Sequence, residues 1–415
     1  METNHAALEG ITVLDLSQFA SGPVCTLSMA QLGANVIKVE RPVRGEQGRP
    51  KGGGQDYLWA VLHANKKGIT LDVKQEEGKE LLRELIRKSD VMVENFAPGT
   101  IERLGFSYEA VHEINPRCIY CQIKGYAENS PYSQYPALDG PVQASGTIAS
   151  QTGVMGGPPI VSGATLADDL SGHYALSAIL AALIQRERTG LGQHVRINMQ
   201  EVMFSTSRMS MVHAAKIKAF NGPIDNTAGR GIAFLFKGTQ CPCDMFPTKP
   251  LDPDGDTSND YVYLSVLESS GNKTWKDLAH IIGHDEWMDD PEFQNGKGRV
   301  GHRDEIYAAI TAWSLQHTKY EAWKILSDAH VTSGAVLTVN DLMATDYMRE
   351  NHMIETIDHH SLGRIDLCGC AYRLSDSYVP PKDAPDLGEH NQEIYQGLLG
   401  MDEETLSRYK EQGVI

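Results

Sequence analysis

Two adjacent carboxylates stand at the start of the longest helical pattern in the chain. They are Asp168 and Asp169 in the segment LADDLSG, which leads into an apolar helix. An aspartate at a helix start commonly caps free main-chain N–H groups, and its charge suits the helix dipole. A cap needs only one carboxylate, which leaves a chemical role open for the other. A carboxylate can attack an activated carbonyl carbon as a covalent nucleophile.

Helical spacing distinguishes the two aspartates. Asp168, Gly172 and Leu176 recur at i, i+4 and i+8 and share one face, whereas Asp169 points about 100° away. We expect Gly172 to leave open space beside Asp168 where a ligand enters. The helix is predicted over residues 167–188, with an apolar stripe of Leu176, Ile179, Leu180, Leu183 and Ile184.

Basic residues near strand ends form a second pattern. They are Lys38, Arg41, Lys66, Lys67, Lys74, Arg103 and Lys124. Any one of them fits a solvated surface. Open parallel sheets bind ligands at the carboxyl ends of their strands, however, and phosphate is the natural counter-charge for a basic cluster. We therefore expect several of these residues to converge on an anionic ligand.

Seven cysteines include three close pairs that could suggest a metal site. The pairs are Cys118 with Cys121, Cys241 with Cys243, and Cys368 with Cys370. None has a flanking histidine at the spacing of zinc fingers. Cys118 and Cys121 fall in a predicted strand, where an offset of three points them to opposite faces. No metal site is predicted, and free thiols suit a reducing compartment.

A strand–helix alternation over the first 125 residues predicts how these residues are positioned. The predicted strands are ITVLDLS, NVIKVERP, GITLDV, DVMVEN and CIYCQIKGY, and HVRINMQEVMF continues as a strand and a helix. This order predicts an α/β fold with a Rossmann-like doubly wound parallel sheet. The first strand leads into SQFASGPV and not G-x-G-x-x-G, which disfavours NAD. Ser21 and Gly22 precede a helix, whose free N–H groups could receive an anion.

Changes of composition divide the chain into three segments. A large Rossmann-like domain is predicted over residues 1–220. A smaller α/β domain follows over 221–335, with the strand YVYLSVLE and the helices NKTWKDLAHIIG, DEIYAAITAWSLQ and YEAWKILSDA. The segment 336–415 is expected to return to the large domain.

The overall charge excludes some classes of partner. The chain has 37 Lys and Arg against 54 Asp and Glu, a formal charge of -17 over 415 residues. Such a surface repels nucleic acid and anionic membranes. The polar N-terminus lacks an apolar core, and no stretch reaches eighteen apolar residues. We expect a cytoplasmic protein with neither nucleic-acid nor membrane partners.

Motifs along the whole chain resemble the class III CoA-transferases, the family of formyl-CoA:oxalate and carnitine CoA-transferases. The strongest are LEGITVLDLS with SGP, LGANVIKVERP, ANKKGITLDVK, SDVMVENFAPGTIERLGFSYE, LADDLSG and PDLGEHNQEI. The segments SPYSQYPALDGPVQASGTIASQTG and GPPIVSGATLADD resemble the formyl-CoA transferase branch in particular. The resemblance implies transfer of CoA from an acyl-CoA thioester to a free carboxylic acid, with CoA thioesters as substrates and no tightly bound cofactor.

The resemblance also implies roles for individual residues. The aspartate of the family's D-x-x-x-G motif matches Asp168, which would be the nucleophile, and Asp139 matches an acidic position close to it. The implied CoA contacts are Arg41, Lys74 and Arg103 at phosphates, Asn95 and Phe96 along the pantetheine or adenine path, and Lys124 nearby in the cleft.

Two departures from the oxalate-using branch bear on the substrate. Ala20 stands where that branch has a substrate-binding glutamine, and GRGIAFLFKG replaces its glycine-rich loop. The smaller Ala20 together with Ile232 and Phe234 predicts room for a larger, partly apolar acid. The expected acceptor is a substituted dicarboxylate such as an alkyl- or arylsuccinate, with succinyl-CoA as donor. Ordinary core packing would equally explain the apolar run.

Two other functions remain open from the sequence. One is an acyl-CoA racemase of the same fold, but that branch pairs its aspartate with an upstream histidine, and no histidine lies between His112 and His173. The other is a non-catalytic CoA-binding subunit of a heteromer. The resemblance further implies an interlocked homodimer, or a heterodimer with a related subunit.

Overall fold

A computed structural model describes residues 6–50, 56–154, 157–212, 240–267 and 271–415. The chain divides into two compact units. The larger contains Met1–Ala149, Val161–Ser207 and Tyr347–Ile415, and the smaller contains Ser150–Ile160 and Arg208–Asp346. The boundaries at 220 and 335 drawn from the sequence stay predictions.

A parallel sheet forms the centre of the larger unit. Its strands in the described residues are β1 (Thr12–Asp15), β2 (Asn35–Glu40), β3 (Lys67–Thr70), β4 (Val91–Glu94), β5 (Ile119–Lys124) and β6 (His194–Asn198). They lie in the order β3-β2-β1-β4-β5-β6, and every pair is parallel. The order reverses beside β1, which confirms the doubly wound Rossmann-like prediction and puts the ligand-binding crevice at the carboxyl ends of β1 and β4.

Helices cover both faces of this sheet. In chain order they are α1 (Ser21–Gln31), α2 (Asp56–His63), α3 (Glu76–Arg87), α4 (Thr100–Arg103), α5 (Tyr108–Ile114), α6 (Asp139–Ser145), α7 (Ile148–Gln151), α8 (Leu166–Thr189) and α9 (Met199–Thr206). Two separate apolar clusters result, one on each face. Cys121 belongs to the first and Cys118 to the second, which confirms their opposite orientation.

Helix α8 matches the predicted span to within a residue at each end. Leu176, Ile179 and Leu183 of its predicted stripe are buried. Ile184 is an exception, because it is 60% exposed. The stripe is therefore narrower than the sequence pattern predicted. The helix ends at Gly190, whose φ of 72° is a conformation that glycine adopts without strain.

Residues from the far end of the chain cover the outer edge of β3. The N–H and carbonyl of Gly68 pair with His390, and Asn391 and Tyr395 bond to the main chain of Thr70. An exposed strand edge is a template for unwanted pairing, and this contact removes it. The larger unit also contains the antiparallel hairpin β10 (Ile354–His359) and β11 (Gly363–Cys368), a π-helix over Glu393–Leu398, and α16 (Glu403–Glu411).

The smaller unit has an antiparallel sheet of its own, in the order β7-β8-β9. Its strands are β7 (Cys243–Pro247), β8 (Tyr261–Ser265) and β9 (Thr332–Ala335). Its longer helices, α10 (Gly271–Ile281), α12 (Arg303–Ser314) and α13 (Lys319–Asp328), confirm the three helical segments predicted here. Short elements complete it: 3-10 turns at Asp285–Met288 and Pro291–Phe293, α11 (Gly296–Gly301) and α14 (Val339–Met343). The helix α15 (Asp346–Glu350) starts at the last residue of the smaller unit, and its other residues belong to the larger unit. Among the described helices of the chain, none combines the length and the apolar character needed to cross a membrane.

Candidate active site

Asp168 lies in the first turn of α8 and lines a cleft of about 600 Å³ in the larger unit. A neighbouring cavity of about 480 Å³ adjoins this cleft. The residues common to both linings are Gln18, Arg41, Phe96 and Thr100. The two spaces therefore adjoin along the carboxyl ends of β1, β2 and β4, and we call them together the ligand path. Asp168 lines the inner space, the cleft, and does not line the outer cavity.

The surroundings of Asp168 raise its pKa to about 6. Burial is the main cause, and the negative charges of Asp139 and Asp169 add to it. Hydrogen bonds from the side chain and main chain of Ser21 oppose these effects. Asp168 forms no ion pair within the described residues. A group with this pKa is still about 90% ionised at pH 7, yet it is less stabilised as an anion than an ordinary aspartate.

Gly172 does not leave open space beside Asp168, contrary to the sequence expectation. A Cβ built on Gly172 would lie 2.7 Å from the Val24 side chain and 2.8 Å from the Ser21 carbonyl oxygen. The missing side chain instead lets α1 and α8 pack closely. This close approach places the N-terminus of α1 against the carboxylate of Asp168. The sequence predicted that this helix terminus, at Ser21 and Gly22, could receive an anion. In the structure the anion beside it is the carboxylate of Asp168, which belongs to the protein itself.

Asp139 occupies main-chain N–H groups at the start of α8. Its Oδ1 accepts hydrogen bonds from the N–H groups of Ala167, at 2.8 Å, and of Asp168, at 3.3 Å. Its Oδ2 accepts from Gln143 at 2.6 Å. The carboxylate of Asp139 thus caps α8 from outside the helix and holds a negative charge near Asp168. The free donors beside Asp168 come from α1.

The loop between β1 and α1 is fixed by Asn95. The amide oxygen of Asn95 accepts from the N–H of Gln18, and its Nδ2 donates to the carbonyl of Gln18 and to Ser21 Oγ. Asn95 lines the cleft, but these bonds use both ends of its amide. Its predicted contact with CoA therefore depends on the face of the side chain and not on free polar atoms.

The basic residues separate into two groups. Arg41 lines both cavities and Lys74 lines the outer one, and neither forms an ion pair with a described residue. Arg44, which sequence reasoning missed, joins them in the outer cavity. In the sequence, the only indication of a role for Arg44 was its position in the run RPVRGE after β2. Three cations at one end of the path suit a phosphorylated ligand.

Other predicted CoA contacts lie at the margin of the path. Phe96 lines both cavities. The exposed Arg103 donates to Thr100 Oγ1, a residue shared by the two linings, but does not itself line either space. Lys124 lines the cleft while its ammonium group bonds to Glu94 and to the carbonyl of Phe96.

Lys38 and Lys66 do not reach the ligand path, which corrects the expected convergence. Both are buried and belong to a charged network around Asp15. Lys66 pairs with Asp15 at 3.2 Å, and Lys38 pairs with Glu46 at 3.5 Å and donates to the carbonyl of Ser17. Lys67 is paired with Glu393, near the covered edge of β3. The sequence spacing could not distinguish these positions from Arg41 and Lys74.

An aromatic group beside Asp168 was also missed. Tyr126 and Tyr135 line the cleft, and Tyr132 packs against both rings at centroid distances of 5.9 Å and 5.6 Å. Leu138 and Phe19 extend the lining and are 59% and 49% exposed. The signal in the sequence was three tyrosines within ten residues after β5. We call Tyr126, Tyr132, Tyr135, Leu138 and Phe19 the aromatic wall.

The predicted substrate residues are only partly described. Ala20 immediately precedes α1, between two residues that line the cleft, Phe19 and Ser21. Ile232 and Phe234 lie outside the described residues, as does the segment 229–238 that replaces the glycine-rich loop.

One group of potential metal ligands occurs among the described residues, at His359, His360 and Asp383. Nδ1 of His359 accepts from the N–H groups of Ser361 and Leu362, so its proton lies on Nε2 and faces Asp383. A nitrogen that carries a proton is not a metal ligand. These residues therefore form a hydrogen-bonded cluster, in which both histidines donate to the carboxylate of Asp383.

The comparisons with known proteins agree over nearly the whole chain. The sequence model of CoA-transferase family III matches residues 8–391. A formyl-CoA:oxalate CoA-transferase from Streptomyces coelicolor is 37% identical and covers 99% of both chains. A second one, from Rhodopseudomonas palustris, is 34% identical over 99% of this chain and 97% of its own. The chain belongs to CoA-transferase family III and is a CoA-transferase.

Solved structures show the same fold. A CaiB/BaiF family protein from Brucella suis superposes with a TM-score of 0.77 at 28% identity, covering 94% of this chain and 99% of its own. A hypothetical protein from Mycobacterium tuberculosis has a TM-score of 0.76 at 25% identity, covering 93% and 98%. These matches extend across both compact units.

Proposed function

We propose that this enzyme moves CoA from an acyl-CoA donor to a free carboxylic acid, with the carboxylate of Asp168 as the covalent nucleophile. One observation carries the proposal: Asp168 is a half-buried carboxylate without a cation partner among the described residues, at the end of a path whose other end holds Arg41, Arg44 and Lys74. A structural aspartate is normally paired. An unpaired one with a raised pKa in a cleft is a candidate nucleophile.

The reaction follows from the chemistry of a carboxylate and a thioester. Asp168 attacks the thioester carbonyl carbon; a C–O bond forms, the C–S bond breaks, and CoA leaves as a thiolate. The thiolate then attacks the aspartyl carbonyl of this anhydride, so that a C–S bond forms and the donor acid leaves as a carboxylate. The acceptor carboxylate attacks the aspartyl-CoA thioester, and the thiolate returns to the new acyl group, which frees Asp168.

The ends of the path fit the two ends of an acyl-CoA. Arg41, Arg44 and Lys74 would meet phosphates, and the apolar faces of Phe96 and Leu104 line the outer cavity as a pantetheine arm requires. The thioester carbon would then lie beside Asp168. A raised pKa favours the nucleophile because its anion is poorly solvated, yet most molecules remain ionised at neutral pH.

For the acceptor we propose a substituted dicarboxylate such as an alkyl- or arylsuccinate, with succinyl-CoA as donor. The aromatic wall supports a partly apolar acid, because Tyr135, Leu138 and Phe19 present exposed apolar surface inside the cleft. The relatives named above act on formyl-CoA and oxalate, which have no apolar substituent to bury. That activity is the competing choice of substrate for this chain.

The central experiment is the intact mass of the protein after incubation with succinyl-CoA. We expect an adduct of one CoA on the wild-type chain in the absence of an acceptor, and none on Asp168→Ala. Asp169→Ala is the matched control, since it removes the adjacent carboxylate and should keep the adduct. Formation of the adduct on Asp168→Ala would exclude this residue as the nucleophile.

A panel of acceptor acids tests the substrate class separately. We expect phenylsuccinate and methylsuccinate to be converted with a higher kcat/KM than oxalate. The reverse order, with formyl-CoA as the better donor, would refute the substituted dicarboxylate while leaving Asp168 as the nucleophile. Incubating with an acyl-CoA in deuterated water addresses the racemase: exchange of the α-hydrogen without an acceptor acid would favour that alternative.

We also propose that the enzyme works as an interlocked dimer in the cytoplasm. The larger unit is built from both ends of the chain, with the smaller unit inserted between them, and this connectivity suits two chains that pass through one another. Light scattering of the purified single chain should give twice the mass of 45.6 kDa. Activity only after addition of a related subunit would support a heteromer instead.

A further inference from the structure

We propose that Ser21 is a further catalytic residue, whose hydroxyl donates a hydrogen bond to the Asp168 carboxyl oxygen as negative charge develops there. We propose that Asn95 positions this hydroxyl. The inference rests on the proposed role of Asp168 as the nucleophile. It adds a second requirement. Once the carboxyl group of Asp168 has been acylated, attack on its carbonyl carbon produces an oxyanion, and hydrogen-bond donors must stabilise that oxyanion.

The hydrogen-bond chain fixes the direction in which Ser21 donates. Gln18 N–H donates to Oδ1 of Asn95 at 2.7 Å, which identifies the other end of this amide as Nδ2. Nδ2 of Asn95 donates to Ser21 Oγ at 3.2 Å. An amide NH₂ can only donate, so the oxygen of Ser21 accepts there. The single hydroxyl hydrogen of Ser21 is then available for Asp168, with which its side chain and main chain both interact.

Close packing holds Ser21 in this position. Ser21 is only 4% exposed, and the absence of a side chain at Gly172 lets its backbone approach α8. A Cβ on Gly22 would overlap Ser17, so the loop before α1 is equally tight. Ser17 is in turn held by Asp15 through its N–H. A buried hydroxyl with one fixed acceptor bond and one neighbouring carboxylate has little freedom to point elsewhere.

The chemical need arises in the second half of the proposed reaction. When the CoA thiolate attacks the aspartyl carbonyl carbon, a C–S bond forms and the carbonyl electron pair moves to oxygen. This oxyanion belongs to Asp168 itself. It collapses when the C–O bond to the donor acyl group breaks and the donor leaves as a carboxylate. Ser21 lines the same cleft as Asp168, and its hydroxyl and N–H both interact with the Asp168 carboxyl group. Donors at the oxygen that gains the charge would lower this barrier.

The start of α8 cannot supply these donors. Its N–H groups at Ala167 and Asp168 bond to Asp139, and the N–H of Asp169 bonds to the carbonyl of Thr165. Lys124, one of the cations that line the cleft, is held by Glu94 and by the carbonyl of Phe96. Among the described residues, Ser21 is thus the side chain best placed to act on the carboxyl group of Asp168.

The test is Ser21→Ala, measured by steady-state kinetics and by the rate at which the CoA adduct appears on the protein. We expect kcat to fall about 10- to 100-fold with KM little changed, because the N–H of residue 21 remains as one donor. The acid limb of the kcat/KM profile should move to higher pH, since the lost hydroxyl no longer stabilises the anion. Ser21→Thr, which keeps a hydroxyl, should recover most of the rate.

Ser28→Ala is the matched control. Ser28 is a buried serine of the same helix, 3% exposed, and its replacement by alanine removes the same atom two turns along α1 from Ser21. We expect unchanged kcat and an unchanged pH profile for this variant. Asn95→Ala should lose at least as much kcat as Ser21→Ala, because it also frees Gln18 in the loop before α1. The double variant should lose little more than Asn95→Ala alone, because Asn95 acts on Asp168 through the Ser21 hydroxyl.

The outcomes separate the two proposals. If the wild-type chain forms no adduct, or Asp168→Ala still forms one, the nucleophile is wrong whatever Ser21 does. If the adduct forms on Asp168 and Ser21→Ala keeps the wild-type kcat and acid limb, Ser21 has no catalytic role. A lower melting temperature of Ser21→Ala with unchanged kinetics would likewise reduce Ser21 to a structural contact and overturn the inference.

Discussion

Two carboxylates face opposite electrostatic surroundings on the two sides of the loop that joins β1 to α1. Asp15 is fully buried and would have a raised pKa from burial alone, but Lys38, Lys66 and hydrogen bonds from Ser17 and Thr26 hold its pKa well below the usual range. Asp168 is less buried, and burial together with the negative charges of Asp139 and Asp169 raises its pKa to about 6, because no cation among the described residues opposes these effects.

The difference distinguishes a charge that holds the structure together from one that we propose to be reactive. Every oxygen of Asp15 has a donor, so its negative charge is fully used in holding the loop. The charge of Asp168 is left with Ser21 as its main support. Burial alone would have ranked Asp15 as the more unusual residue. The sign of the neighbouring charges, which the degree of burial alone does not give, supports Asp168 and not Asp15 as the proposed nucleophile.

The largest expected effect is on activity at Asp168. Asp168→Asn keeps the shape and removes the nucleophile, so we expect kcat to fall by at least about 10⁴-fold while the protein stays folded. Steady-state transfer assays and circular dichroism measure the two quantities. A variant that retained more than a tenth of the activity would place the chemistry elsewhere.

Replacing Asp15 should instead affect folding. Asp15→Asn leaves Lys66 and Lys38 buried without their shared counter-charge, and we expect a loss of about 3–5 kcal/mol in the free energy of unfolding. Glu76→Gln, which breaks the exposed pair with Lys79, is the control and should leave the stability nearly unchanged, because solvent screens this pair. Urea titrations of both variants measure this. Equal stabilities would show that the network around Asp15 contributes nothing.

The stability of Asp168→Asn relative to the wild type should increase as pH rises. The folded state binds a proton at Asp168 more tightly than the unfolded chain does, so wild-type stability falls as pH rises from about 4 to about 6. The neutral asparagine avoids this loss. We expect the variant to be more stable than wild type at pH 7.5, by on the order of 1–3 kcal/mol, and equally stable near pH 3.5. Melting temperatures at the two pH values decide the matter.

The smallest effect concerns the repulsion between Asp139 and Asp168. Asp139→Asn keeps an oxygen to cap α8 but removes the negative charge. We expect the midpoint of the acid limb of kcat/KM to move below pH 6, by up to about one pH unit. Asp169→Asn should give a smaller shift in the same direction, because its contribution is the lesser of the two. A shift to higher pH in either variant would contradict this electrostatic picture.

The sheet and its helices were predictable because local patterns determine them. Apolar runs such as VIKVE and VMVEN become buried strands, and the spacing of Leu176, Ile179 and Leu183 defines a helix face. The same reasoning placed Cys118 and Cys121 on opposite faces. It failed for Ile184, because the width of a helix stripe depends on what packs against it, and that partner is set by tertiary structure.

The site was only partly predictable for the same reason. A lysine at a strand end looks the same in sequence whether it meets a ligand, as proposed for Lys74, or a buried carboxylate, as Lys66 does. Gly172 was correctly singled out, but its role depends on α1, a helix about 150 residues earlier in the chain. The capping of α8 by Asp139 and the contact between Ser21 and Asp168 are likewise contacts between segments that are far apart in the sequence, and no local sequence pattern predicts them.

The cover over β3 has a consequence for how the protein is made. The strand emerges early from the ribosome, whereas His390, Asn391 and Tyr395 are synthesised some 320 residues later. At a translation rate of about 5–20 residues per second, the edge of the nascent sheet waits roughly 16–64 s for its partner. During that interval its unpaired amides are open to association with other nascent chains, so the yield of native enzyme should depend on expression rate and on chaperone supply.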